Sequence, residues 1–412
     1  MRYRLEMFKK SILHSTVAVL ATSTVGYAQH ALTTSQILGQ VNTVTTAVPF
    51  LMISPDSRAG GMGDAGVASA PDANSIHWNP AKLAFLDKKM GLSISYTPWL
   101  RALVPDINLA YISFYYKPGS KKSDQTIAGS LRYFSLGDIT FTDITGATIG
   151  QFRPYEMALD MAYARKLSKN FSVGLAGRYI YSNLTNGIDV GGANTHAAQT
   201  GAVDLSVFYT NDKVKVGDKK SILNLGLDIS NIGGKVAYTN SAQRDFIPTN
   251  LRVGGGLTME LDKYNSLSFI MDINKLLVPT PDIVDTVNHK TYGKPTNVPV
   301  ATGILYGLDP SDPPGGTTEY LREFDICGGM EYWYDKLFAV RAGYFYENPT
   351  KGNRKYFTLG AGIKYSVFTL DFAYLIPTDQ RNPLQNTLRF TLVFDFDALK
   401  DQNKESSGTS TN

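Results

Sequence analysis

Cysteine is nearly absent: Cys327 is the single one among 412 residues, so no internal disulfide can form, and none follows the leader segment closely enough for lipid anchoring. Packing within a strand is the role left to it. Histidine is scarce as well, with five in the chain, and His14, His30, His77, His196 and His289 have no partners at metal-ligand spacing. No G-x-S-x-G elbow occurs either. These gaps point to a non-enzymatic protein without metal or cofactor. Beyond residue 28 there is no apolar run of the length that a transmembrane helix needs. Nor is there a large excess of charge: the formal +4 falls to about +1 without residues 1–28, which argues against nucleic acid as a partner.

What is present is alternation. Residues 1–28 read as a secretory signal peptide, with Arg2, Arg4, Lys9 and Lys10 ahead of an apolar run from Ile12 to Ala21, and small Gly26 and Ala28 at the cleavage position. From residue 90 onward, period-two patterning marks fourteen segments. They are 90–97, 108–116, 125–135, 153–166, 170–182, 198–210, 221–231, 249–261, 265–274, 321–334, 336–346, 355–365, 367–376 and 387–396. In YEMALDMAYAR, Tyr155, Met157, Leu159, Met161 and Tyr163 share one face, and Glu156, Ala158, Asp160 and Ala162 the other. In the last segment Leu388, Phe390, Leu392, Phe394 and Phe396 oppose Arg389, Thr391 and Asp395.

Charge decides which face looks where. Arg132, Asp204, Asp228, Arg252, Asp272, Asp325, Glu331, Arg341, Lys364 and Asp371 fall in phase with the small residues. A Lys or Arg facing lipid at mid-bilayer costs about 2–4 kcal/mol, so this phase faces inward. In lipid every backbone polar group must be satisfied internally, and a chain without apolar helices can span only as a closed sheet. The expected fold is all-β, a 14-stranded antiparallel transmembrane β-barrel over 90–396 in the outer membrane, in contact with its lipids. An even strand number returns both ends to one side, expected to be periplasmic.

Connection lengths agree. Every second connection tends to be short, while 136–152, 183–197, 232–248 and the proline-rich 275–320 are long, as for periplasmic turns and extracellular loops. Tyr155, Tyr163, Tyr181, Tyr209, Tyr334, Tyr346 and Trp99, at segment ends, suit aromatic girdles. The longest loop carries an apolar stretch with Val278, Pro279, Pro281, Ile283 and Val284, a candidate partner-binding loop. Two readings of it stay open: entry into a neighbour's cavity without forming a strand edge, or cover for this barrel's own mouth.

Residues 29–89 lack continuous alternation and are rich in Gly, Ala, Asp and turn formers. Irregular backbone at membrane depth is tolerated only inside protein or along a watery cavity, so an N-terminal luminal plug is expected, with a periplasmic arm as the alternative. Asp56, Arg58, Asp64 and Asp72 are expected to pair with opposite charges on the inner wall, and Asn79-Pro80 to turn the chain toward the first strand. Gly61, Gly63 and Gly66 match G-x-G-x-x-G. Without a preceding strand, a following helix and a later acidic residue in a βαβ unit, the match indicates glycine-rich packing and not a dinucleotide site. Residues 397–412 form a polar tail.

The run AVPFLMISPDSRAGGMGDAGVASAPDANSIHWNPAKLAF, Ala47 to Phe85, resembles the amino-terminal region of the PorV family of type IX secretion outer-membrane proteins. That family belongs to the FadL-like superfamily, whose layout of a plugged fourteen-strand barrel is similar, and whose recurring turn matches Asn79-Pro80-Ala81. The plug motif that carries the resemblance includes Asp56, Arg58, Gly61, Met62, Gly63, Asp72, Trp78, Asn79 and Pro80. The polar tail after Phe396 departs from barrels that end at the aromatic residue. The resemblance implies a carrier that binds the large translocon barrel, accepts cargo through its C-terminal domain and passes it to the surface attachment complex. The competing implication, by analogy with FadL, is uptake of a hydrophobic small molecule such as a fatty acid. Inward Phe134, Ile180, Phe208, Ile270 and Phe345 serve either a greasy pocket or a plug. Lipopolysaccharide modification, a third class, would be an indirect effect.

Overall fold

The computed structural model describes residues 41–396 apart from 102, 103, 120, 121, 144, 189–193, 241–243, 286–289, 380 and 381. Residues 1–28, where a signal peptide is expected, the stretch 29–40, His289 and residues 397–412 lie outside the described residues. The strands are β1 (Met90–Pro98), β2 (Asn108–Tyr116), β3 (Gln125–Ser135), β4 (Ile139–Thr142), β5 (Thr148–Phe152), β6 (Tyr155–Lys166), β7 (Phe171–Asn183), β8 (Ala198–Val216) and β9 (Lys219–Gly233). There follow β10 (Asn250–Glu260), β11 (Asn265–Leu276), β12 (Ile283–Asp285), β13 (Lys290–Tyr292), β14 (Phe324–Tyr334), β15 (Phe338–Tyr346), β16 (Lys355–Tyr365), β17 (Phe368–Pro377) and β18 (Leu388–Asp395). β4–β5 and β12–β13 are small hairpins inside long connections, and the other fourteen strands close into one barrel. Each barrel strand pairs antiparallel with its neighbours, and β1 meets β18 with Ser95 opposite Thr391.

Alternation sets the register. Leu159 and Met161 on β6 are exposed while Asp160 between them is buried, and across the ladder Leu131 faces Leu159 as Ser130 faces Asp160. Apolar side chains thus cover the outside and polar ones the inside, the reverse of a protein stabilised by burying its greasy residues away from water. Eight of the ten inward-phase charges named above are buried, Asp325 and Lys364 being half-buried, and Arg178, Glu156 and Arg389 join the buried set. Connections alternate as expected, from the two-residue turn 217–218 on one rim to 277–323 on the other.

Three details differ from the sequence reading. β8 and β9 continue as a ribbon past residues 210 and 221, where lysines mask the alternation. Trp99 packs against the inward clusters that contain Phe50 and Met62, not into an outer girdle. The stretch after Val278 does form a short strand, β12, paired with β13.

Candidate functional site in the lumen and on the long-connection rim

The segment before the barrel is built from short turns: a 3-10 turn Pro49–Met52, α1 (Ser57–Gly60), α2 (Ser75–Trp78) and a second 3-10 turn Pro80–Phe85. Asp56 caps α1 by accepting from Ala59 N at 3.0 Å, and its other oxygen accepts from Trp78 Nε1 at 2.7 Å. Asn79 accepts from Ala81 N at 3.0 Å and donates to Val67 O at 3.1 Å, while Pro80 occupies the first turn position where no N–H is required. Thus Asp56, Trp78 and Pro80 hold the segment to itself, and Asn79 does so while also donating to Val207 O of β8 at 3.0 Å.

Other residues hold it to the wall, and their partners are inward-phase residues on strands around the barrel. Arg58 donates to both oxygens of Glu331 on β14, at 3.0 and 2.8 Å. Glu331 also accepts from Arg341 Nε at 2.7 Å, and Arg341 reaches Asp371 at 2.7 Å. Asp64 meets Arg389 of β18 at 2.6 Å and Tyr356 of β16 at 2.7 Å. Gly66 N and Val67 N donate to Asp272 of β11 at 2.6 and 2.8 Å. Ser57 N donates to Thr391 at 2.8 Å. On the opposite side Ser172 and Ser206 bond the backbone of Ala81 at 2.7 and 3.0 Å, and Arg132 donates to Leu51 O at 2.8 Å.

Two expected wall contacts fall elsewhere. Asp56 is taken up by the α1 cap and Trp78, and Asp72 pairs with Arg58 of its own segment at 2.9 Å. Both carboxylates meet their nearest donors within the segment, so neither needs the wall.

The glycines work by absence of a side chain. Gly63 has φ +69°, and a Cβ there would lie 2.5 Å from Tyr344 O; on the wall, a Cβ at Gly343 would collide with Gly63 N. Two backbones therefore touch, a contact only glycine allows. Gly61 packs likewise against Gly360, and Met62 is buried with Ile270, Cys327 and Phe345. The Gly61–Gly66 pattern is therefore a packing device. Sequence reasoning missed its wall partners Gly343 and Gly360, although their inward phase, shared with Arg341 and Thr358, carries the signal.

The greasy inward residues are occupied as well. Phe134 lies 6.3 Å from Phe50, ring centre to ring centre, and Phe208 lies 5.7 Å from Phe85. Ile180 packs with Phe50 and Leu51, and Ile270 and Phe345 with Met62.

The long connection 277–323 folds back over the mouth. Its α3 (Val300–Gly307) sets Gly303 on Phe246 and Gly307 on Leu277. Val278 and Pro279 are consequently buried; Pro281 and Ile283 are half-buried, and the side chain of Val284 lies outside the described residues. Thr280 N donates to Asp312 at 2.9 Å, and Lys351 pairs with Glu319 of α4 (Thr317–Leu321) at 2.9 Å. Lys351 also donates to Asn42 O at 3.1 Å, tying the loop to the luminal segment. The hydrogen bond from Lys294, with those of Ser311, draws the Asp309 carboxyl down to about 2, whereas burial raises that of Asp312. Leu305, Leu308 and Leu321 remain exposed on this cap.

A family model described as type IX secretion system protein PorV matches residues 36–283. A comparison with curated proteins finds no match. Among solved structures, the toluene transporter TbuX of Ralstonia pickettii is similar at 11% identity and TM-score 0.44, covering 83% of this chain and 97% of that one. The toluene transporter TodX of Pseudomonas putida gives 12%, 0.44, 86% and 98%. A FadL homologue of Pseudomonas aeruginosa gives 11%, 0.41, 86% and 99%.

Proposed function

Because the chain belongs to the PorV family of type IX secretion system proteins, we propose that it is the barrel that binds the large translocon barrel, accepts cargo through its C-terminal domain and hands it to the surface attachment complex. It is an outer-membrane barrel protein; in this reading the termini are periplasmic, the long connections extracellular, and the luminal segment is a plug. One observation supports the reading: residues 47–86 take up inward-facing groups on strands around the wall, which leaves the rim as the surface for a partner. There the cap over 277–323 is braced by Lys351, Asp312 and the two α3 glycines, yet presents Leu305, Leu308 and Leu321 to the outside. Exposed leucines on a braced element fit a protein contact. Uptake of a hydrophobic small molecule loses its support from Phe134, Ile180, Phe208, Ile270 and Phe345, which pack on the segment.

The test is removal of residues 280–316. The barrel is expected to fold, while co-purification with the translocon and secretion of cargo are lost; L305K/L321K, which leaves the clasp intact, is expected to lower both at least tenfold. Unchanged secretion in both variants refutes the reading, and loss of growth on exogenous fatty acid with intact secretion favours uptake.

A further inference from the structure

The two rims differ in where their unpaired cations gather. On the long-connection rim Arg153 meets Asp138 at 2.6 Å, Lys351 meets Glu319 at 2.9 Å, Arg354 meets Glu347 at 2.8 Å and Lys294 meets Asp309, while exposed Arg101 and Arg244 stand singly on separate connections and meet no carboxylate among the described residues. On the short-turn rim Lys88 and Asp395 pair at 3.4 Å, but Lys169, Lys213, Lys215, Lys220 and Lys336 are exposed and meet no carboxylate among the described residues.

The lysines concentrate on the ribbon of β8 and β9, where Lys213, Lys215, Lys219 and Lys220 outnumber the exposed Asp212 and Asp218. β7 pairs with β8 only as far as Tyr209, and β10 with β9 only from Ser221, so beyond Asn211 the two strands pair only with each other within their own hairpin. Lys215 stands directly opposite Lys220, and Lys219 beside them donates to Leu261 O at 2.7 Å. Like charges directly across an antiparallel pair repel, and the turn at Gly217, with φ +61°, fixes them there. An anion between them removes that cost.

Position selects the anion. Tyr209 and Leu225, paired across β8 and β9, belong to the outward, lipid-facing phase. Lys213 comes four residues later on β8, roughly 13 Å along a tilted strand, and a lysine side chain reaches back about half that distance. Its ammonium therefore falls at headgroup height.

We propose that the β8–β9 ribbon beyond the barrel binds the phosphates of anionic phospholipid headgroups in the leaflet at the short-turn rim. The other rim has no such cluster of facing lysines among its described residues, so the ribbon gives the barrel an electrostatic preference for one leaflet orientation. The inference needs a barrel embedded in a bilayer and does not depend on the secretion role, so failure of either test leaves the other standing.

The full chain in nanodiscs of zwitterionic phosphatidylcholine, or of the same lipid with phosphatidylglycerol, is treated with an amine-reactive label, and the modified lysines are read by mass spectrometry. Lys213, Lys215, Lys219 and Lys220 are expected to react about fivefold or more slowly in the anionic discs, with the difference abolished at high salt. Lys294 and Lys351 serve as internal references with unchanged rates. In vesicle insertion, K215Q/K220Q is expected to lose the preference for anionic lipid while keeping the heat-dependent gel mobility of a folded barrel. Equal labelling in the two lipids overturns the proposal, as does protection that appears only when an acidic protein is added.

Discussion

Replacing Glu331 by Gln is expected to loosen the luminal segment while leaving the barrel closed. Glu331 is the shared acceptor of Arg58, on the segment, and Arg341, on the wall, at distances of 2.7–3.0 Å, and it is buried. A neutral amide cannot hold two guanidiniums; Arg341 keeps Asp371, but Arg58 is left with Asp72 of its own segment. Removing one partner of a buried ion pair costs about 3–5 kcal/mol, mostly because the other charge stays desolvated. The strands keep their ladder bonds, so the loss falls on docking of the segment. Limited trypsin digestion in detergent reads it: cleavage after Arg58 is expected to accelerate by more than a hundredfold in E331Q, with heat-dependent gel mobility unchanged. R58Q/E331Q is expected to recover part of the protection, since it removes the stranded cation. Wild-type resistance in E331Q contradicts the network.

The second large effect concerns the outer surface. Leu159 is 51% exposed in the middle of β6, opposite Leu131. At so open a site in a water-soluble protein, Leu159→Arg changes stability by roughly 0.5 kcal/mol or less. Facing lipid, it costs about 2–4 kcal/mol. Val216→Arg, on the ribbon beyond the barrel, is the matched control and is expected to cost less than about 1 kcal/mol near the interface. Denaturant titrations of the variants in phospholipid vesicles give both values. Equal small effects contradict a lipid-facing β6.

The fold was readable because lipid imposes a binary choice on every strand residue. Slipping one position on β6 would send Asp160 into the acyl chains, so the pattern survives without any knowledge of partners. The strand ends on the short-turn rim were harder, because the β8–β9 ribbon leaves the bilayer and is released from that choice. Within the lumen the charged residues were recognisable but their partners were not. Arg58 and Asp64 do meet the wall, at Glu331 and Arg389, while Asp56 and Asp72 are satisfied locally. Sequence has no term for which of two nearby donors a carboxylate reaches first. Val278 and Pro279 illustrate the same limit: an apolar stretch in a loop looks available until Gly303 and Gly307 allow a helix to settle on it.

All of this requires residues 47–86 to lie within the barrel. Ser57 and Thr391 have hydroxyl oxygens 3.0 Å apart, one on the segment and the other on the closing strand. Cysteines at these two positions, in a Cys327→Ser background, are expected to form a disulfide in isolated outer membranes under mild oxidation, joining the N-terminal and C-terminal tryptic fragments. Two free thiols, both open to a membrane-impermeant reagent, would place the segment outside the lumen.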